Sequence, residues 1–139
     1  MFDAEFDGMP RKGIAAVSKG GYLYILDRTS GVPLTPVLET PVPQDRIQKT
    51  AATQPIPQGD QVVRHEVDAV GESFEGILRN QARTFTPFST GQPAIWRPFS
   101  GVTWHPSSYN VESNLMYICA GDGPGRGRGG DPNAMVGPD

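Results

Sequence analysis

The sequence predicts an all-β fold that forms part of a larger stack of sheets, and three observations carry that expectation. The first is composition. With 17 glycines and 14 prolines in 139 residues, the two make up about a fifth of the chain, nearly twice ordinary usage, which favours turns and short strands over helices. The second is the run KGGYLYILDRTSG, residues 19–31. Read as a strand between glycine-containing turns, it points Tyr22, Tyr24 and Leu26 one way and Leu23 and Ile25 the other. The third is LMYICA, residues 115–120, which is also apolar on both faces. Strands of this kind need a cover front and back, and an isolated hairpin cannot supply one.

The bulk numbers bound the rest. One domain of ordinary size fits in this length. Charged residues make up 19% and hydrophobic ones 37%, lean for a chain that builds its own core. A net charge of −3, with no basic stripe, argues against a duplex nucleic-acid binder. The single cysteine excludes an internal disulfide and a cysteine-based zinc cage. No apolar span reaches transmembrane length. MFDAEFDGMPRKG lacks the basic-then-apolar order of a secretory signal, so the expectation is either a cytosolic protein or, the favoured reading, a chain whose true N-terminus lies elsewhere.

Taken in order, residues 1–12 are polar and extended or irregular, with a turn at Asp7 and Gly8. Ile14 to Ser18 suits a strand. Gly20 and Gly21 favour a primed hairpin turn into a second strand, Tyr22 to Asp27. A longer turn follows, with Gly31 at positive φ. Val32 to Leu38 returns as a third strand at an edge, marked by Pro33 and Pro36. Residues 13–38 therefore read as a three-stranded meander. From Glu39 to Gly59, Pro41, Pro43, Pro55 and Pro57 make a long connection with no sheet or helix. Phe74, Ile77 and Leu78 have the spacing of a short helix over 72–82. Val102 to Tyr109 is extended, Asn110 to Asn114 a turn and Leu115 to Ala120 a strand. Residues 123–139, dominated by glycine and proline, are expected to form a disordered tail.

Residue chemistry alone points to no enzyme. Lys19 beside two glycines marks a place where backbone can approach a flat or anionic ligand, but spacing alone reads it as a solvated turn lysine. The doubled glycine matches no phosphate-cradling pattern, and the GPGRGRGG tail reads as a linker rather than a single-stranded RNA contact. His65 and His105 lie far apart and read as surface or hydrogen-bonded loop residues, not zinc ligands. Cys119 reads as a buried, inert thiol. Ser107 and Ser108 lack the context of a serine nucleophile. Trp104 is a stacking platform or simple core.

Four stretches together resemble the pyrroloquinoline quinone (PQQ)-dependent dehydrogenases, which are eight-bladed β-propellers. KGGYLYILDRTSG is similar to their K-x-G-Y-L-Y-V-L-D-R-x-x-G stretch, and KTAATQPIP at 49–57 to their T-Q-P-x-P connection. FTPFS at 85–89 resembles their F-T-P-P-S loop. GVTWHPSSYN at 101–110, with LMYICAGD at 115–122, resembles their G-G-x-N-W-x-P-x-S-Y-x-P…L-x-Y-V segment. The resemblance implies a partial β-propeller over residues 1–122, about a blade and a half, each blade packed between neighbours.

It also implies a function. The parent would oxidise an alcohol, polyol or sugar by hydride transfer to PQQ held beside Ca²⁺, in the periplasm, with the remaining blades as partners. Lys19 takes the family position of a cation that hydrogen-bonds the quinone oxygens. Thr103 stands where many members have a cofactor-contacting asparagine, whose amide geometry a hydroxyl cannot reproduce. Trp104 would wall the pocket. The family's calcium ligands, catalytic aspartate and adjacent-cysteine disulfide have no counterpart, so neither catalytic nor metal-binding residues are assigned, and the isolated chain is expected to be inactive. The alternative from another class is a non-enzymatic propeller scaffold that binds protein partners. Membrane association is left open.

Overall fold

The computed structural model of the protein describes residues 1–66, 82–88, 95–98, 101–102, 105–127 and 129, and among them every regular element is a strand. Three strands, β1 (Phe2–Phe6), β2 (Met9–Val17) and β3 (Leu23–Asp27), form one antiparallel sheet in the order β1-β2-β3. Two hairpins accompany it, β4 (Val37–Pro41) with β5 (Thr53–Pro57) and β7 (Ser108–Asn110) with β8 (Leu115–Tyr117). A further pair joins β6 (Ile95–Pro98) to β9 (Pro124–Gly127). The all-β, partial-propeller expectation therefore holds.

The three-stranded sheet begins earlier than expected. Asp7 and Gly8 both take positive φ, 51° and 72°, as a two-residue primed turn requires, and Phe6 faces Met9 across it. The polar N-terminal residues are thereby a strand. Beyond β3, Asp27 organises the turn: its carboxylate accepts from the Thr29 and Ser30 backbone N–H groups at 2.8 and 3.2 Å, and Gly31 closes it at φ 75°. The return over 32–38 is much shorter than a full third strand. It amounts to a single bridge between Leu26 and Pro33, after which the chain leaves to start β4.

The proline-rich connection corrects the expectation most clearly, because residues 37–57 form a hairpin. Pro41, Pro55 and Pro57 face Thr53, Glu39 and Val37. The bonds from Gln58 N–H to the Pro36 carbonyl (2.7 Å) and from Val42 N–H to the Ala52 carbonyl (3.1 Å) set the phase of the ladder. All three prolines fall on the non-bonded pairs, where a missing N–H costs no ladder bond.

Both faces of β3 are partly covered, as its pattern requires, and all five of its residues are half-buried. On one side Tyr24 donates its hydroxyl to the Pro55 carbonyl at 2.8 Å, which docks the β4–β5 hairpin. On the other side Leu23 and Ile25 look across a cavity of about 820 Å³ towards Tyr109 and Met116 of the β7–β8 hairpin. The Phe2 and Tyr109 rings lie 5.4 Å apart.

Apolar side chains such as Leu38, Leu115 and Tyr117 are more than half exposed, so β8 is covered on one face only. Cys119, beyond the end of β8, is exposed rather than buried. Pro124–Gly127 pair with Ile95–Pro98, so ordered pairing reaches past residue 122 into the stretch expected as tail; residues 130–139 and nearly all of the helix expected over 72–82 lie outside the described residues.

Candidate functional site

Among the described residues the buried apolar side chains are Tyr22, Val63 and Val102, at 8, 6 and 8% exposure. None belongs to a regular strand: Tyr22 directly follows the turn that carries Lys19 and Val63 packs on Gly21 of that turn, while Val102 lines the cavity shared with Leu23 and Tyr109. Ser18 N–H donates to the Tyr22 carbonyl and Gly21 N–H to the Ser18 carbonyl, both at 2.9 Å. Ser18 Oγ accepts from Tyr22 N–H at 3.2 Å. Only the second glycine takes positive φ, 77° at Gly21. The loop is thus the three-residue type, a turn closed by a left-handed glycine, and not the two-residue primed turn that paired glycines suggest.

Two glycines make the packing around Lys19 feasible. A Cβ on Gly21 would lie 2.1 Å from Val63 Cγ2, so the 63–65 segment seats directly on the turn. A Cβ on Gly101, where φ is 135°, would lie 2.1 Å from the Lys19 carbonyl oxygen and 3.2 Å from the Gly21 nitrogen. Backbone therefore touches backbone where the 101–102 segment meets the lysine turn. Gly101 in turn accepts a hydrogen bond from Gly121 N–H at 3.1 Å. Asp122, the next residue, accepts from the Arg64 side chain at 2.9 Å and its backbone N–H at 3.3 Å. Contacts thus run in a closed circuit from residues 19–21 through 63–65 and 121–122 to Gly101 and back to Lys19.

An aromatic wall adjoins this circuit. The His65 ring stacks on Tyr22 with centroids 3.9 Å apart and planes 26° apart. Phe85 lies parallel to Tyr22 at 5.7 Å and 7°. Phe85 takes φ 68°, a genuine outlier for a bulky residue. The turn around it is held by Thr84 N–H donating to the His65 carbonyl at 3.0 Å and Thr86 N–H to the Arg83 carbonyl at 3.1 Å. Burial pushes the Tyr22 hydroxyl pKa up. Burial likewise pulls His65 down, opposed by the neighbouring Gly21 and Gly20 backbone. The Arg64 hydrogen bond holds the Asp122 carboxyl below the usual carboxylate range.

The wall borders a cavity of about 640 Å³ whose lining includes Gly21, Tyr22, His65, Arg83 and Phe85. Parallel aromatic rings beside a glycine turn offer flat surface to a planar ligand, with Arg83 as the cation in the lining; Lys19, on the same turn, is not among the lining residues. Among the described residues no cluster of three or more His, Cys, Asp or Glu side chains is placed to hold a metal ion.

Of the residues singled out in the sequence, Lys19 contributes its backbone carbonyl to this circuit, against Gly101. Thr103 and Trp104 lie outside the described residues. His105, Ser107 and Ser108 stand at the other cavity. His65, Val63, Phe85 and Gly101 are site residues that sequence reasoning missed. Phe85 and Gly101 belong to motif stretches noted above; nothing in local spacing marks Val63 or His65, whose roles arise from tertiary contact alone.

Comparison with known proteins gives the family. Residues 1–128 match the family described as PQQ: Glucose/ethanol/alcohol dehydrogenase, beta-propeller domain. A curated relative, the glycerol dehydrogenase large subunit of Gluconobacter oxydans (strain 621H), is 30% identical over 127 residues, covering 79% of this chain and 17% of the relative. The chain therefore spans less than a fifth of that relative's length. No solved structure matches. The lysine turn, the aromatic loop and the glycine contact at residue 101 are accordingly features of a chain that belongs to the PQQ-dependent glucose/ethanol/alcohol dehydrogenase β-propeller family.

Proposed function

We propose that this chain supplies the lysine-bearing wall of a PQQ site in a dehydrogenase that oxidises alcohols, polyols or sugars. One observation carries the reading: three stretches distant in sequence, 19–22, 63–65 with 84–85, and 101–102 with 121–122, meet around Lys19. When bound, PQQ supplies the hydride acceptor, and a calcium ion beside it supplies Lewis acidity.

The chain's own residues bind and orient. Lys19 presents a fixed positive charge where negative charge would develop on the cofactor, and a preorganised charge of this kind needs no rearrangement during reaction. Tyr22 and Phe85 provide flat apolar surface that excludes water, and Thr103 and Trp104 are further cofactor contacts on the strength of the family motif alone. No residue of this chain is assigned as catalytic base or calcium ligand, so the isolated chain is inactive and the remaining blades complete the site. The relative named as a glycerol dehydrogenase favours a small polyol among the substrates. A periplasmic setting follows from family membership alone.

The test compares the complete parent dehydrogenase with its Lys19→Ala variant by PQQ titration and by artificial-dye reduction. The reading expects PQQ affinity to fall by about tenfold or more. Unchanged affinity would favour a non-enzymatic propeller scaffold instead. Dye reduction by the 139-residue chain, supplied with PQQ, calcium and alcohol, would overturn the claim that it is inactive alone.

A further inference from the structure

We propose that His65 is a positioning residue for the Lys19 cation, acting through the Gly20–Gly21 backbone and the Tyr22 ring. The inference rests on the reading of Lys19 as a cofactor-binding cation. The turn is closed by the Ser18, Gly21 and Tyr22 hydrogen bonds, but Lys19, Gly20 and Gly21 lie outside the sheet ladder because β3 begins only at Leu23, and two glycines leave them conformational freedom. Contacts from elsewhere in the fold narrow it further.

Residue 65 is built to do this. Its ring lies flat on Tyr22 at 3.9 Å. Its Nε2 is shielded from solvent without a well-formed hydrogen bond and sits 3.4 Å from the point a Gly21 Cβ would occupy, so the polar edge of the imidazole faces the turn peptides. Val63, two residues earlier, fills the space above Gly21. The other side of His65 is anchored: its carbonyl accepts from Thr84 N–H at 3.0 Å and from the Thr84 hydroxyl at 3.2 Å. His65 therefore joins the Phe85 turn to the lysine turn. A flat side chain with a polar edge meets both surroundings, stacking on Tyr22 and turning a nitrogen rather than a hydrocarbon edge towards the turn peptides, although no hydrogen bond joins them.

The test is a double-mutant cycle on PQQ affinity in the complete parent dehydrogenase, measured by direct titration of the apoprotein with PQQ. His65→Ala should weaken binding by about tenfold, and His65→Gln, which keeps a polar edge, should recover part of the loss. In a Lys19→Ala background His65→Ala should have no further effect, because it acts through the lysine. Where His65→Ala fails to accumulate as folded protein, His65→Phe and His65→Gln carry the same comparison. Unchanged affinity in the His65 variants, or an equal loss with and without Lys19, overturns the proposal. If Lys19→Ala weakens binding and the His65 variants do not, only the positioning role falls. If Lys19→Ala itself has no effect, the reading of Lys19 falls as well.

Discussion

Replacing Gly101 by alanine would set a methyl carbon 2.1 Å from the Lys19 carbonyl oxygen and 2.9 Å from its carbonyl carbon. Ordinary contact is about 3.4 Å or more, so the two segments would have to part by more than an ångström. The opposing atoms are backbone on both sides, and no side chain can rotate away to relieve the overlap. The backbone at φ 135° adds a conformational cost of about 1–3 kcal/mol for any residue with a Cβ. Together these reach about 3 kcal/mol, enough to open the contact between the lysine turn and residue 101 in most molecules if the contact itself is worth no more than that. The assay is hydrogen–deuterium exchange of the complete dehydrogenase, read at Gly21 and Gly121, whose N–H groups donate to Ser18 and Gly101. Exchange at both should accelerate by about a hundredfold. Gly31→Ala is the control: φ is 75° and nothing lies within 4 Å of the added carbon, so it should leave both sites protected. If Gly101→Ala exchanges like Gly31→Ala, residue 101 does not brace the lysine turn.

Other perturbations test the remaining parts. Pro55 faces Glu39 on a non-bonded pair, so Pro55→Ala should leave the β4–β5 hairpin protected from exchange, whereas Ile56→Pro, one residue on, should remove a ladder bond and destabilise it by at least about 1 kcal/mol. Tyr24→Phe removes the 2.8 Å bond to Pro55 and should cost ~0.5–1 kcal/mol in a urea titration, the low end because the bond is exposed. His65 is held below its ordinary value of 6.5 chiefly by burial, so the folded state binds fewer protons there than the unfolded one. Its contribution is fully present above the unfolded value and is lost as pH falls through the lowered folded value. The urea midpoint should therefore drop between pH 7 and pH 5 by more in the parent protein than in His65→Phe; equal drops would contradict this.

The strands legible in the sequence were those whose pattern is local. β3 follows from its aromatic and branched run, and the Asp27–Gly31 turn from its residue types. The double apolar faces of β3 correctly required covers on both sides, and the hairpins of β4–β5 and β7–β8 provide them in part. The β4–β5 hairpin itself was hidden because proline content is a poor guide once every proline falls on a non-bonded position, a matter of register that composition does not carry. The exposure of Cys119 was hidden because β8 stops at Tyr117. Lys19 was visible only through the resemblance of its motif, since a lysine beside glycines is by itself an ordinary turn. His65 and Val63 were not visible at all: their part in the site depends on a chain excursion of some forty residues returning to the lysine turn, and no periodicity encodes that.

The most direct test is a structure of the complete dehydrogenase loaded with PQQ. Lys19 Nζ within about 3.2 Å of a quinone oxygen, with Gly101 against the Lys19 carbonyl and His65 stacked on Tyr22, is the result expected. A cofactor seated elsewhere, with the Lys19 ammonium turned to solvent and residues 101–102 parted from its turn, would contradict the account.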